Sequence, residues 1–130
     1  MKTVVITGAT GATGRLAAKA FAERGHRLAL LSKSQSKLDS LARDLALPEG
    51  QIHVQTVDLL HESAAREAAQ AVVSKFGGVH ALIHLVGGWT GGQTIPDSSA
   101  DDLEVMLAQH VRSAFHALQA FVPHIAAGGW

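Results

Sequence analysis

The sequence has no tyrosine, no asparagine and no cysteine, and it has no excess of either charge: 11 Lys and Arg balance 11 Asp and Glu. Without cysteine there is no disulfide, thiolate nucleophile or cysteine-ligated zinc. Without tyrosine, these residues alone supply no phenol as a proton donor. Balanced charge removes the electrostatic basis for nucleic-acid binding or for a polybasic attachment to membranes. No apolar run approaches the roughly 20 residues that a membrane span needs. The first residues, Met1-Lys2-Thr3-Val4-Val5-Ile6, run directly into Thr7-Gly8, a stretch too short and too glycine-rich for a signal peptide. A protein of the reducing cytoplasm is therefore expected. What is present is a hydrophobic fraction of 47% over 130 residues, enough for the core of one domain spanning 1–130.

Hydrophobic patterning alternates between the two regular periods. Lys2 to Thr7 is a β-branched run that reads as a buried strand, and Gly8 to Gly14 is a turn of Gly, Ala and Thr. Arg15 to Arg24 has helical spacing, with Gly25 as its stop. Arg27 to Leu31 reads as a second strand, Ser34 to Leu45 as a helix, and Ile52 to Val57 as a third strand. Glu62 to Phe76 is an alanine-rich helix ended by Gly77-Gly78, and His80 to Val86 is a fourth apolar strand. After a glycine-rich loop from Gly87 to Pro96, a long helix begins near Ala100 with Ser99 as N-cap; Pro123 kinks or ends it. Strict β-α alternation with short connections predicts an α/β fold, a doubly wound parallel sheet with helices on both faces and no interdomain linker.

The sharpest motif is Thr7-Gly8-Ala9-Thr10-Gly11-Ala12-Thr13-Gly14-Arg15, between the first strand and the first helix. In such a turn the first glycine permits a tight exit from the strand. The second lets backbone approach a pyrophosphate, and the third lets the helix pack closely on the sheet. The helix N-terminus then favours the negative charge. The spacing is G-x-x-G-x-x-G; a tight turn without a ligand is the alternative reading. No G-K-[ST] follows, so the turn is not a P-loop.

The end of the second strand selects between dinucleotides, an acid binding a ribose 2′-OH and a basic group accommodating a 2′-phosphate. Here it reads Leu31-Ser32-Lys33-Ser34, and the next carboxylate, Asp39, lies well into the helix. Arg15 and Lys33 are the two cations near the expected ribose, which predicts NADP(H) in preference to NAD(H); a solvated surface lysine is the other reading of Lys33. Asp58-Leu59 follows the third strand, where an Asp binds an adenine amino group or caps the next helix, and the two roles are compatible.

Together these segments resemble the short-chain dehydrogenase/reductase family. The resemblance rests on the glycine turn, Val57-Asp58-Leu59, the run from Ala81 to Trp89, and the helix through Val111-Arg112-Ser113-Ala114-Phe115 to Pro123-His124. It runs over all 130 residues but covers only the N-terminal half of such a domain, so a truncated Rossmann-like sheet of about four strands in order 3-2-1-4 is expected. It implies that Gly8, Gly11 and Gly14 form the pyrophosphate turn, lined by Ala9 to Thr13. Ser32 falls where NAD-preferring members place an acid, and Lys33 where NADP-preferring members often place Arg. Asp58 and Leu59 would border adenine, and Val86 and Gly87 the adenosine ribose. The family reaction is hydride transfer between a nicotinamide and the carbon of a carbonyl or alcohol.

The departures carry information too. The family's Asn-Asn-Ala-Gly reads His84-Leu85-Val86-Gly87 here, and its helix asparagine aligns with His110, which is read either as a polar replacement or as a half-exposed surface residue. The active Ser and the Tyr-x-x-x-Lys pair would fall beyond Trp130. The chain is therefore expected to bind a cofactor without catalytic residues of its own. The alternative is a non-catalytic NADP(H)-binding sensor or interaction module, and a third reading is a decayed product. Eight histidines are scattered over different elements, and no metal site is expected from them. A fourth strand at the sheet edge would expose Leu82, Ile83, Leu85 and Val86, and the last helix would lack part of its packing, so self-association is expected.

Overall fold

The computed structural model describes residues 1–129; Trp130, the last residue of the expected domain, lies outside them. Four parallel strands, β1 (Thr3–Thr7), β2 (Arg27–Ser32), β3 (Ile52–Thr56) and β4 (Ala81–His84), form one sheet in the order β3-β2-β1-β4. Every residue of β1 is buried, as is the run Leu28–Leu31 of β2. The two central strands are covered on both faces, which is why they read as unbroken apolar runs rather than as alternating ones.

The helices α1 (Ala12–Glu23), α2 (Gln35–Leu45), α3 (Glu62–Phe76), α4 (Ala100–Leu107) and α5 (Ser113–Phe121) follow the strands. Alternate β residues split the core in two. Val4, Ile6, Leu28 and Leu30 pack with Ala18 of α1 and with Leu38 and Leu41 of α2. On the other face, Val5, Ala29 and Leu31 pack with Ala65, Ala68, Ala69 and Val72 of α3 and with Ala117 and Phe121 of α5. The small residues of α3 let its axis come close to the sheet. The expected doubly wound sheet in order 3-2-1-4 is present.

Element limits differ from expectation where capping chemistry is local. The first helix begins at Ala12, not Arg15, so Gly14 lies inside its first turn. Ser34 and Ser99 both act as N-caps, accepting from the N–H groups of Lys37 and Asp102 at 3.4 and 3.1 Å. The long last helix is not continuous. A π-helical turn at Ala108–Arg112 separates α4 from α5, and a 3₁₀ turn at Val122–His124 carries Pro123 past its end. Beyond that turn the chain comes back to the sheet, where Ile125 forms a parallel bridge with Val79. The start of the β4 edge is thereby covered, while Leu82, Ile83, Leu85 and Val86 stay partly buried.

The central strand is braced by imidazoles. The N–H groups of Lys2 and Thr3 donate to Nδ1 of His26 and of His80 at 3.3 and 3.0 Å. At the other end Thr7 Oγ1 and His84 Nδ1 are 2.8 Å apart, and His84 Nε2 is buried without a partner. Burial holds the His84 pKa below the usual imidazole value. Burial, and then the positive charges of the N-terminus, Lys2 and Arg24 together with His80, lower that of His26. Because the folded values lie below the unfolded ones, this stabilisation is complete above about pH 6.5 and is lost as pH falls through the folded values. The melting temperature is expected to be level between about pH 8 and 7 and to decline from about pH 6.5 towards pH 5. A melting temperature unchanged down to about pH 5 would contradict this bracing.

Candidate functional site

The glycine turn is built by three glycines in three different surroundings. Gly8 has φ +64, and a Cβ there would meet the carbonyl oxygen of Leu85 at 2.6 Å, so both its conformation and the approach of the β4 end exclude a side chain. A Cβ on Gly14 would run into the Gly8 carbonyl oxygen and the backbone of Ala9, which fixes α1 against the turn. Gly11 is different: its Cβ would meet only Gly8 O, at an ordinary 3.5 Å. Packing does not demand glycine at this position, which borders open space. Gly11 is also the N-cap of α1, and neither a side-chain cap nor an acidic residue occupies that helix end. No side chain of that helix end offsets its partial positive charge.

That open space is a groove of about 330 Å³ across the C-terminal ends of all four strands. Thr7, Gly8, Thr10 and Gly11 form its floor, and Leu31, Ser32, Lys33, Ser34 and Lys37 one wall. Val57, Asp58, Leu59 and Leu60 close it after β3, and Leu85, Val86 and Gly87 after β4, with Gln109 and Ser113 reaching in from the last helix. Ten residues singled out in the sequence line it: Thr7, Gly8, Thr10, Gly11, Ser32, Lys33, Asp58, Leu59, Val86 and Gly87. Ala12, Thr13, Gly14 and Arg15 lie just outside, in the first turn of α1. Arg15 is turned away. Its Nε donates to the Thr10 carbonyl at 3.2 Å, and its guanidinium faces Asp44 at 3.9 Å.

Polar contacts hold the walls. Ser32 Oγ lies 2.7 Å from Thr10 Oγ1 and accepts from the Ser34 N–H at 3.4 Å, so the end of β2 is tied to the glycine turn without a charge. Asp58 does not cap α3. Its Oδ1 accepts from the Leu60 N–H at 3.0 Å, and His61 occupies the cap position, with no side-chain bond. His116 Nδ1 donates to the Leu59 carbonyl at 2.6 Å and anchors this loop to α5. His110, in the π turn, donates through Nε2 to the Gly88 carbonyl at 2.6 Å. Its ring lies so close to Gly87 that a Cβ there would meet Cε1 at 2.8 Å. His110 thus latches the glycine-rich loop and does not itself line the groove. The sequence assigned no site role to the other eight lining residues, Leu31, Ser34, Lys37, Val57, Leu60, Leu85, Gln109 and Ser113. Lys37, one turn past an evident N-cap serine, was the member with a signal.

A parallel sheet whose crevice opens at the carboxyl ends of the strands, where the strand order reverses beside β1, is a Rossmann-like fold. The comparison with known families makes this narrower. The family model described as short chain dehydrogenase matches residues 2–130, and the chain belongs to that family. The NADPH-dependent pterin aldehyde reductase of Arabidopsis thaliana is 29% identical over 122 residues, 94% of this chain and 50% of the relative. The mouse dehydrogenase/reductase SDR family member 7B is 39% identical over 108 residues, 79% of this chain and 33% of the relative. Among solved structures, a short-chain dehydrogenase/reductase from Serratia marcescens superposes with a TM-score of 0.88 at 29% identity, covering 98% of this chain and 52% of that one. A Brucella melitensis relative reaches 0.92 at 23% identity, which supports the fold. The chain spans about half the length of the curated relatives it matches. No described helix is long and apolar enough to cross a membrane, and the described residues contain no cluster of three or more His, Asp or Glu that could hold a metal ion.

Proposed function

We propose that these residues bind NADP(H), in preference to NAD(H), as the cofactor-binding part of a short-chain oxidoreductase acting on a small carbonyl or alcohol. The observation that carries this reading is Gly11: a glycine that no protein contact requires, bordering the groove at an uncapped helix end. In this reading the backbone of Gly8 and Gly11, with Thr7, Thr10, Ala12 and Thr13 around them, faces the pyrophosphate. Gly14 holds α1 in place for it. Ser32 and Lys33 meet the adenosine 2′-phosphate, with Arg15 behind the turn. Asp58 and Leu59 border adenine, Val86 and Gly87 the ribose, and His110 steadies the loop without a catalytic role. The bound dinucleotide supplies the hydride chemistry. With no tyrosine among the 130 residues, the family's phenol proton transfer does not come from them, and we read them as binding without turnover by themselves. The lack of cysteine supports the cytoplasm as compartment.

Titrating the chain with NADPH and NADH tests the reading. NADPH is expected to bind at least about tenfold more tightly, the effect of one charge-assisted hydrogen bond. Failure of both dinucleotides to bind at about millimolar concentration would overturn it.

Self-association belongs to the same proposal. Leu103, Leu107, Val111, Phe115, Leu118 and Val122 form a stripe at helical spacing that runs from α4 through the π turn and α5 to the 3₁₀ turn, and Val111 and Phe115 are each 60% exposed. Replacing both Phe115 and Leu118 with Glu is expected to weaken association by about 100-fold, as for two central anchors of an interface. Analytical ultracentrifugation reads this directly. A wild-type chain that stays monomeric up to about 100 μM would refute it.

A further inference from the structure

We infer that Lys37, paired with Lys33 and in place of Arg15, is the specificity-determining cation for the 2′-phosphate; the inference rests on the NADP(H) reading above. Lys33 and Lys37 line the same wall of the groove, one before the Ser34 N-cap and one in the first turn of α2. Neither has an ion-pair partner among the described residues. The carboxylate closest in sequence, Asp39, accepts from Gln35 Nε2 at 2.8 Å, on the outer surface of the helix. Arg15, the other cation expected at the ribose, is committed elsewhere: its Nε to the Thr10 carbonyl and its guanidinium towards Asp44, beside a separate groove between α1 and α2.

The placement of Lys37 is unfavourable for the helix alone. A cation in a first turn opposes the helix dipole, and α2 has no acidic residue there to offset it. A dianion held between Lys33 and Lys37 relieves both the mutual repulsion and the conflict with the dipole. The wall between them does not repel an anion, because Ser32, at the end of β2, is neutral. The one carboxylate of the groove, Asp58, stands across it after β3, with an oxygen held by the Leu60 N–H.

The test uses the whole chain and two pairs of probes that differ only in the 2′-phosphate: NADPH against NADH, and adenosine 2′,5′-bisphosphate against 5′-AMP. Lys37→Ala is expected to weaken the phosphorylated member of each pair about tenfold and to leave the other within about twofold. Lys37→Arg is expected to keep the wild-type ratio, and Arg15→Ala to change it by less than about twofold. Alanine is the better helix former, so circular dichroism should show α2 intact. An unchanged ratio in Lys37→Ala, or a larger loss in Arg15→Ala, overturns the inference while the NADP(H) reading stands. A wild-type chain without preference for the 2′-phosphate overturns both.

Discussion

Gly14→Val is expected to abolish dinucleotide binding and to lower stability by about 3 kcal/mol or more, because the added carbons enter backbone rather than yielding side chains. The first of them already collides with the Gly8 carbonyl oxygen and with Ala9. Neither can move freely. Gly8 O accepts from the Gly11 N–H at 3.2 Å, and the Ala9 N–H donates to the Leu31 carbonyl at 3.1 Å, so the turn is tied both to itself and to β2. Tilting α1 away instead lifts Ala18, which is fully buried, out of the core it shares with Leu38 and Leu41. Gly11→Val is the informative control. Its first added carbon meets the protein only at an ordinary contact distance, so stability should stay within about 1 kcal/mol of wild type while the side chain enters the groove and NADPH binding is lost. Chemical denaturation and NADPH titration of the two variants separate a packing glycine from a binding one. A Gly14→Val protein with wild-type stability would show that the helix does not depend on that contact.

The strands and the glycine turn were legible because each has a local cause. Val4 to Ile6 and Leu28 to Leu31 are apolar on both faces, which only a central parallel strand requires, and glycines three apart between a strand and a helix have few other uses. The π turn was not legible. Ala108 to Arg112 has ordinary helical propensity, and the turn there goes with a tertiary contact, the His110 bond to Gly88, 22 residues away in sequence. For the same reason the sequence could not orient Arg15: its partner Asp44 lies on α2 and comes near only in the folded protein. Asp58 illustrates a third limit. An Asp shortly before a helix suits a cap and an Asx-type turn equally, and the loop of Leu59 and Leu60 decided for the turn.

Ser32→Asp should invert the dinucleotide preference. The site can take a carboxylate without loss of stability, since Ser32 Oγ already accepts from the Ser34 N–H at 3.4 Å and lies 2.7 Å from the Thr10 hydroxyl, which can turn to donate to a carboxylate. A carboxylate accepts from both and keeps lone pairs for a ribose 2′-OH, an interaction of about 1 kcal/mol or more in favour of NADH. The same charge repels a 2′-phosphate. A unit charge against a phosphate at contact distance, in the effective dielectric of a protein surface, amounts to about 3 kcal/mol even after screening, or about 100-fold in affinity. Lys33 and Lys37 remain on the wall and offset part of this, so the loss for NADPH should be smaller at high salt than at low salt, whereas the gain for NADH through a hydrogen bond should vary little. Paired titrations of NADPH and NADH at two salt concentrations measure both. If the Asp variant still binds NADPH more tightly, the 2′-phosphate does not lie beside Ser32, and the preference for it comes from charges farther along α2.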